Sequence, residues 1–334
     1  MPPHVYWLSL AVLAGLVVFA LQRVRSTRTQ TSAKVPSDGN TTESQSAEPR
    51  QMKAGAPYEL VRARFGWALA NPNDVFLGRS IIEYGEFSEE ERQMLEKIIA
   101  FRPGTLVEVG ANAGFLTVPL AQALAASGNE LIAFEPQPFL FQNLCANLAL
   151  NGLSNVRAWP WACGENAKTL YFPAQSYSTQ GNYGGVAMEE TASTTTIEVP
   201  CVRLDDVVGT KNVSLIKIDV EGSELAVLKG AETVIAASRP IISVENDRAE
   251  NSSALMAWLL ERNYRLWWHT PPLYSEYNFF RNTANLYGEA HSLNLLCLPA
   301  ESAIPDVSDL YFSEVDDPHW HPLNRGADKS TPGA

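Results

Sequence analysis

Residues 106–115 constrain the fold of this chain more than any other stretch. They read Leu-Val-Glu-Val-Gly-Ala-Asn-Ala-Gly-Phe, an apolar strand with one acid that runs into a Gly-x-x-x-Gly turn before an amphipathic helix. Such a strand, turn and helix start leave room for a ligand against bare backbone. The spacing differs from the Gly-x-Gly-x-x-Gly of dinucleotide sites and from phosphate-binding loops. The acid two residues before Gly110 favours a ligand with a cationic, amino-acid-like portion over a pyrophosphate.

A second acid follows the next apolar strand. Leu-Ile-Ala-Phe at 131–134 is followed by Glu135 and Pro136. An acid at the tip of the second strand of a βαβ unit can accept hydrogen bonds from both ribose hydroxyls of a nucleoside. The distance from the glycines, roughly 20–25 residues, is the one expected for such a unit. The two features in this order predict S-adenosylmethionine as the cofactor, and a methyltransferase is the first functional hypothesis.

Composition excludes several other classes of function. The chain has 334 residues and a formal net charge of −12, which is unfavourable for nucleic-acid binding because phosphate neutralisation needs clustered Lys and Arg. Histidines are scattered, and so are the cysteines, each of which lies in an apolar run. We therefore expect buried free thiols, and metal binding is not indicated. The four cysteines are Cys145, Cys163, Cys201 and Cys297.

The amino terminus is predicted to be a membrane anchor. Residues 5–21 carry no charge. The length of this run is at the short end of what spans a bilayer as a helix. Aromatic residues lie at the beginning of this run and three arginines follow it, and this is not the charge order of a cleaved signal peptide. Residues 1–25 are thus expected to be an uncleaved transmembrane helix, with the remaining chain on the cytoplasmic side by the positive-inside rule.

Domain boundaries follow from changes in composition. Residues 26–56 are rich in Ser, Thr, Gln and Pro without apolar periodicity, which predicts a flexible linker. Residues 57–300 form the predicted globular domain, and 301–334 are expected to be a loose extension. Apolar stripes predict helices across 58–101, with Ser88 and Glu91 as a capping box for the second helix.

Strands and helices alternate after residue 104. This alternation predicts a doubly wound, mostly parallel sheet, interrupted by a β-hairpin pair around residues 170–172 and 195–199. One long helix is expected across residues 225–234. In such α/β sheets ligands bind at the carboxyl ends of the strands. Glu108, Glu135, Asp219, Glu221 and Glu245 are all expected at or near that edge.

Three motifs in this order carry a resemblance to a known family. Val-Glu-Val-Gly-Ala-Asn-Ala-Gly-Phe-Leu-Thr, Phe-Glu-Pro and Lys-Ile-Asp-Val-Glu-Gly-Ser-Glu occur in sequence, and the chain resembles the FkbM family of methyltransferases over residues 80–297. The resemblance implies a Rossmann-like class I methyltransferase fold and S-adenosylmethionine as the cofactor. It also implies O-methylation of a hydroxyl on a sugar, a glycan or a natural-product-like acceptor.

The same resemblance implies which residues bind the cofactor. The glycine turn and Glu108 would lie along the methionine portion, Glu135 would hold the ribose, and Glu86 would close the site from the N-terminal side. The implied set is Glu86, Glu108, Gly110, Ala111, Asn112, Gly114, Phe134 and Glu135.

A general base is expected because a hydroxyl is hardly ionised at neutral pH. Asp219 and Glu221 follow one strand and Glu245 ends the neighbouring one, so close carboxylates would raise one another's pKa and suit one of them to accept a proton. The alternative for Asp219 and Glu221 is that they cap the following helix. His269 and His291 are further candidates for the base.

Two other functional classes stay open at this point. One is a catalytically inactive, membrane-tethered protein of the same fold that acts in binding or assembly. The other is a nicotinamide-dependent oxidoreductase, which the missing Gly-x-Gly-x-x-Gly disfavours. The methyl acceptor and the oligomeric state do not follow from the residues.

Overall fold

The computed structural model describes residues 51–55, 57–303 and 312–324. The predicted membrane helix and nearly all of the predicted linker lie outside these residues. Among the described helices, none has the length and apolar character needed to cross a bilayer. Residues 51–55, which were expected to end the linker, form a strand instead.

The described elements alternate as predicted after residue 104. In chain order the strands are β1 (Gln51–Gly55), β2 (Tyr58–Ala63), β3 (Gly66–Ala70), β4 (Thr105–Val109), β5 (Leu131–Phe134), β6 (Val156–Trp159), β7 (Ala162–Cys163), β8 (Lys168–Pro173), β9 (Thr196–Val202), β10 (Val213–Ile218), β11 (Ile241–Glu245), β12 (Tyr264–His269), β13 (Asn294–Pro299) and β14 (Phe312–Glu314). The helices are α1 (Leu77–Tyr84), α2 (Glu89–Phe101), α3 (Thr117–Ala125), α4 (Pro138–Leu150), α5 (Leu204–Val208), α6 (Glu224–Lys229), α7 (Glu232–Ser238) and α8 (Ala249–Glu261).

An eight-stranded sheet forms the centre of the molecule. Its spatial order is β14-β12-β13-β11-β10-β4-β5-β6. The pairs from β11 through β10, β4 and β5 to β6 are parallel, whereas β13 is antiparallel to both β11 and β12. The sheet order reverses its direction of winding between β4 and β10, so their carboxyl ends define the crevice where ligands bind in α/β sheets. The predicted Rossmann-like, mostly parallel sheet is confirmed.

Alternate strand residues enter two separate cores, one on each face of this sheet. Val107 and Ile216 pack with α5 to α8 on one face, whereas Leu106 and Leu215 pack with α2, α3 and α4 on the other. Burial on both faces explains why the central strands are nearly continuous apolar runs. Glu108 and Lys217 interrupt two of these runs, and both side chains are buried.

The segment before α1 differs from the prediction. Residues 58–70, expected to be helical, form the antiparallel pair β2 and β3, and β1 completes this three-stranded sheet. The backbone N–H groups of Trp67 and Leu69 donate to the side chains of Asn151 and Asn147 on α4. These long-range partners hold the strand in place, although its apolar residues are spaced like a helix stripe.

The predicted start of α2 is confirmed, but the predicted capping box is not formed. The helix begins after Ser88 as predicted, yet Ser88 has a left-handed backbone with φ of +47° and makes no side-chain capping bond. Its hydroxyl donates to the Glu91 carboxylate at 2.8 Å instead. Glu91 is thereby buried on the side of α2 that faces the central sheet, which matters for the site described below.

Three smaller differences concern later elements. The predicted hairpin is confirmed, since β8 and β9 pair antiparallel. The helix expected across residues 225–234 is divided into α6 and α7 by a break at residues 230–231. In the expected loose extension, β14 pairs with β12 and His321 is buried, so the described part of that segment packs against the domain.

Candidate active site

A turn at Gly110 forms the floor of a cavity of about 350 Å³ at the carboxyl edge of the sheet. Gly110 has φ of +88°, and a Cβ there would lie 1.8 Å from the Asp219 carbonyl oxygen. The N–H groups of Gly110 and Ala111 both donate to the Phe134 carbonyl, at 2.9 and 3.0 Å. Only glycine permits β4 and β10 to approach this closely with that backbone conformation.

Glu135 faces this turn from the tip of β5. Its side chain is buried, with a residue exposure of 4%, and it accepts the N–H of Asn112 and the N–H of Gln137, each at 2.8 Å. Burial raises its pKa to about 7, although these two hydrogen bonds favour the charged form. Each carboxylate oxygen retains acceptor capacity towards the cavity that it lines.

Glu108 and Lys217 lie side by side on β4 and β10, in register with each other. The Lys217 ammonium is 3.2 Å from Asp219 Oδ2 and 4.0 Å from Glu91 Oε1. Burial alone would lower the pKa of Lys217, but the surrounding carboxylates raise it above its ordinary value. Lys217 therefore stays charged at the base of the cavity.

Glu108 is the most deeply buried acid of the cavity. It is 1% exposed, and its Oε2 makes no hydrogen bond to the described residues. Burial raises its pKa to about 7, while the charge of Lys217 opposes that rise. An unpartnered buried carboxylate oxygen calls for a hydrogen-bond donor, because leaving such a group unsatisfied is costly.

The three proposed base candidates converge, as predicted. One carboxylate oxygen from each of Asp219, Glu221 and Glu245 lies within 4.8 Å of the others. Arg248 donates to Glu221 Oε2 at 2.5 Å, and burial followed by the charge of Asp219 raises the pKa of Glu221 to about 7. Helix capping does not account for these acids, since α6 begins after Ser223 without a side-chain cap.

Burial also raises the pKa of Glu245 well above its ordinary value, and the neighbouring Asp219 carboxylate adds to this rise. The surroundings of Glu245 therefore disfavour its charged form. Burial also raises the pKa of Asp247, which lines the same part of the cavity. The acids at the end of β11 are thus unusually reluctant to ionise.

Several predicted residues do not line the cavity. The Glu86 carboxylate is 2.5 Å from Arg64 Nη2 and accepts the Phe279 N–H at 2.8 Å, so its predicted role of closing the cofactor site is not supported by its position. The Phe134 side chain lies in the hydrophobic core, and only its carbonyl contributes, through the turn. Gly114 allows α4 to pack closely, because a Cβ there would lie 2.6 Å from Leu144 Cδ1.

The two histidine candidates for the base differ in position, since His291 lines the cavity and His269 does not. His269 is fully buried and stacks on Phe312, and burial lowers its pKa to about 4. His291 lines the cavity, with Nδ1 3.0 Å from the Thr270 carbonyl. Since a carbonyl can only accept, His291 Nδ1 carries the hydrogen, and in the neutral ring Nε2 has the free lone pair.

A polar loop before β9 covers the glycine turn. The Gln137 amide donates to the Tyr183 carbonyl at 2.7 Å, and the Tyr177 hydroxyl donates to Gln137 Oε1 at 2.9 Å. A Cβ on Gly184 would lie 2.8 Å from Asn112 Nδ2. The loop therefore rests directly on the residues that follow β4 and β5.

Comparisons with known proteins bear on the segment that builds this cavity. Residues 108–266 match the family model described as the methyltransferase FkbM domain. The chain carries an FkbM methyltransferase domain. Methyltransferase sdnD of Sordaria araneosa is 31% identical, over 38% of this chain and 60% of that protein. Methyltransferase 1 of Beauveria bassiana is 29% identical, over 38% of this chain and 58% of that protein.

The chain thus spans about 60% of the length of the curated relatives that it matches. A crystal structure of methyltransferase FkbM from Methylobacillus flagellatus KT is 17% identical, with a TM-score of 0.39, over 58% of this chain and 43% of that chain. The FkbM methyltransferase domain inferred from the motifs is confirmed over residues 108–266, and with it S-adenosylmethionine as the cofactor.

The cavity of the FkbM domain fits that cofactor in three respects. The Glu108 carboxyl group, which lines the cavity, suits the amino group of the methionine portion. Gly110 and Gly184 leave backbone exposed where any larger residue would collide with its neighbours. Glu135 offers acceptor oxygens for the ribose hydroxyls.

Sequence reasoning missed Lys217, and it assigned Glu91 only to a helix cap. Lys217 lies within the Lys-Ile-Asp-Val-Glu-Gly motif, but the motif itself does not indicate its role. The available signal was a single cation in an otherwise apolar strand, which requires a buried counter-charge.

Proposed function

We propose that this protein is an S-adenosylmethionine-dependent methyltransferase that transfers a methyl group to a hydroxyl oxygen of a sugar, glycan or natural-product-like acceptor. The observation that carries the proposal is the buried Glu135 carboxylate, which accepts the Asn112 N–H beside the Gly110 turn and lines a cavity with several other acids. This arrangement supplies acceptors for a nucleoside and a cationic amino-acid portion together. The FkbM domain match supports the same chemistry.

When bound, S-adenosylmethionine supplies a methyl carbon on a positively charged sulfur. The domain has to hold it, align an acceptor oxygen and take one proton. Glu108 and Glu135 serve the first task. For the last, Glu221 has a pKa of about 7, which is close to the value that suits a base at neutral pH. His291 Nε2 is the alternative proton acceptor in the same cavity.

Exclusion of water falls to the loop that covers the turn. Gln137 ties this loop to the tip of β5 through its two hydrogen bonds with Tyr177 and Tyr183. A dry site strengthens the attraction between the cavity acids and a cationic ligand, because the effective dielectric constant is lower there.

Replacing Glu135 with Ala should abolish binding of S-adenosylhomocysteine. Two hydrogen bonds from ribose hydroxyls to a charged group are lost, which corresponds to an affinity loss of more than about 100-fold. Isothermal titration calorimetry on the purified chain measures this loss, and chemical unfolding shows whether the variant is folded.

Glu130→Ala is the matched control, since Glu130 precedes the same strand, at the end of β5 opposite to the cavity, where it pairs with Lys211 and Arg157. It should bind S-adenosylhomocysteine as the unchanged protein does. Equal binding by Glu135→Ala and Glu130→Ala would remove the basis of the proposal.

We also propose that residues 1–25 anchor the enzyme to a membrane with the FkbM domain on the cytoplasmic side. The support is the uncharged run at residues 5–21 followed by arginines. In sealed spheroplasts, protease added outside should leave the domain intact and should digest it after lysis. Digestion without lysis would contradict the orientation. Recovery of the domain in the soluble fraction, rather than with the washed membranes, would contradict the anchor.

A further inference from the structure

We infer that Asp219, Glu221 and Glu245 bind one hard divalent cation, such as Mg²⁺, Mn²⁺ or Ca²⁺, at the acceptor end of the cavity. The site itself stands on the geometry of these residues. Its role, which is to hold the acceptor oxygen, rests on the proposed function with His291 Nε2 as the proton acceptor, because Glu221 would then be a ligand of the cation.

The spacing of the three carboxylates suits such an ion. Their nearest oxygens all lie within 4.8 Å of one another. Oxygens on opposite sides of a Ca²⁺ ion are about 4.6–5.2 Å apart, and about 4.0–4.2 Å around Mg²⁺. The group therefore fits within a Ca²⁺ coordination sphere as it stands, and Mg²⁺ would draw the carboxylates closer together. Carboxylates alone favour hard cations over zinc, which prefers nitrogen and sulfur ligands.

The backbone fixes the position of all three ligands. Asp219 follows β10, Glu245 ends β11, and the two strands are parallel neighbours in which Ile218 pairs with Val244. Glu221 adopts φ of +56°, an uncommon conformation for a residue other than glycine, and this turn directs the chain after Asp219. The acids therefore converge because β10 and β11 are parallel neighbours whose carboxyl ends lie side by side.

An unpartnered buried oxygen within the group is the second observation, independent of the clustering. Glu245 Oε2 is inaccessible to solvent and makes no hydrogen bond within the described residues, although Glu245 lines the cavity. A buried acceptor of this kind is normally satisfied, so this oxygen indicates a missing cationic partner.

Four carboxyl groups share two cationic side chains in this part of the cavity. Asp219, Glu221, Glu245 and Asp247 face two cations, Lys217 at 3.2 Å from Asp219 and Arg248 at 2.5 Å from Glu221. Lys217 is also shared with Glu91 and Glu108, so it does not neutralise Asp219 alone. The methionine portion of the cofactor accounts for Glu108 at the other end of the cavity, whereas nothing in the cofactor accounts for the acids after β11.

A cation in this position would contact the acceptor. The residues that hold the cofactor follow β4 and β5, whereas Asp219 and Glu245 follow the next two strands along the sheet. An acceptor that enters between them meets the three carboxylates first. Acceptors with two neighbouring oxygens, such as vicinal diols, could bind the cation through both and would be the favoured substrates.

Electron paramagnetic resonance with Mn²⁺ tests the site directly. Free Mn²⁺ gives a six-line signal that is lost on binding, so titration of the chelator-treated full chain counts the sites. We expect one Mn²⁺ per chain, displaced by Mg²⁺ or Ca²⁺. Asp219→Asn and Glu245→Gln should each weaken binding by at least about tenfold, whereas Glu198→Gln on β9, an exposed acid, should leave it unchanged.

Either of two results would overturn the inference. One is an unchanged Mn²⁺ signal in the full chain up to millimolar protein, with and without S-adenosylhomocysteine. The other is binding that neither substitution weakens, which would place the ion elsewhere. Calorimetry with S-adenosylhomocysteine on the same samples separates this failure from failure of the methyltransferase proposal, because cofactor binding does not need these three acids. It also verifies that each variant is folded.

Discussion

Gly110→Ala is expected to abolish binding of S-adenosylhomocysteine and to lower the free energy of unfolding by about 2–5 kcal/mol. Gly110 has φ of +88°, which an L-residue adopts only with strain, and the added Cβ would lie 1.8 Å from the Asp219 carbonyl oxygen. That oxygen belongs to backbone, so it cannot rotate away. Relief requires the ends of β4 and β10 to separate, which displaces both the turn and the acids after β10.

Gly128→Ala is the control that separates the effect of the steric collision at Gly110 from the effect of backbone strain at positive φ. Gly128 also has positive φ, +71°, but no atom lies within 4 Å of an added Cβ. Its substitution should cost about 1–2 kcal/mol through conformational strain alone and leave cofactor binding intact. Denaturant unfolding and calorimetry on both variants give the comparison. Equal effects would show that the close approach of β4 and β10 does not matter for the site.

The central sheet could be predicted because its signals are local. Strands β4, β5, β10 and β11 are short apolar runs, each followed by glycine or acid and then by a helix. Parallel strands buried on both faces leave this pattern in any chain. The convergence of Glu108, Glu135, Asp219 and Glu245 at one edge then follows from topology alone, since parallel strands end on the same side.

The N-terminal sheet could not be predicted in this way. Leu60, Phe65 and Leu69 are spaced like a helix stripe, and the interactions that hold β3 as a strand come from Asn147 and Asn151, more than 70 residues away. The ion pair of Glu86 could not be predicted for the same reason. Its partner Arg64 lies between β2 and β3, within a segment that was interpreted as helix, so nothing suggested that the carboxylate was already engaged.

The acid–base assignment depended on a residue that sequence reasoning passed over. The candidate bases are acids at strand ends, whereas the positive charge near them belongs to Lys217, which lies within β10. Lys217 contacts Asp219 and lies beside Glu91, whose burial results from the unexpected geometry at Ser88. A pairing between a strand and the start of a distant helix leaves no periodic signal in the sequence.

Lys217→Met is expected to destabilise the protein by about 3–5 kcal/mol at pH 8, because it removes one partner of a buried ionic group while keeping the side-chain volume. Glu91, Glu108 and Asp219 would then share a buried region without their common cation. The charge of Lys217 opposes the rise of the pKa values of Glu91 and Glu108, so both values should rise further in the variant. Denaturant unfolding at several pH values measures the effect.

The sign of the pH dependence distinguishes this mechanism from a simple packing defect. An acid whose pKa is higher in the folded than in the unfolded protein binds protons more tightly when folded, so stability falls as pH rises from the ordinary value of 4.5 towards the folded value. The deficit of Lys217→Met relative to the unchanged protein should therefore be small at pH 4.5 and grow steadily to pH 8. Lys229→Met, which removes a half-exposed lysine paired with Glu165, should cost about 0–1 kcal/mol at every pH. A deficit that is the same at pH 4.5 and pH 8 would mean that Lys217 stabilises the sheet through its packing, and that the cavity acids do not depend on its charge.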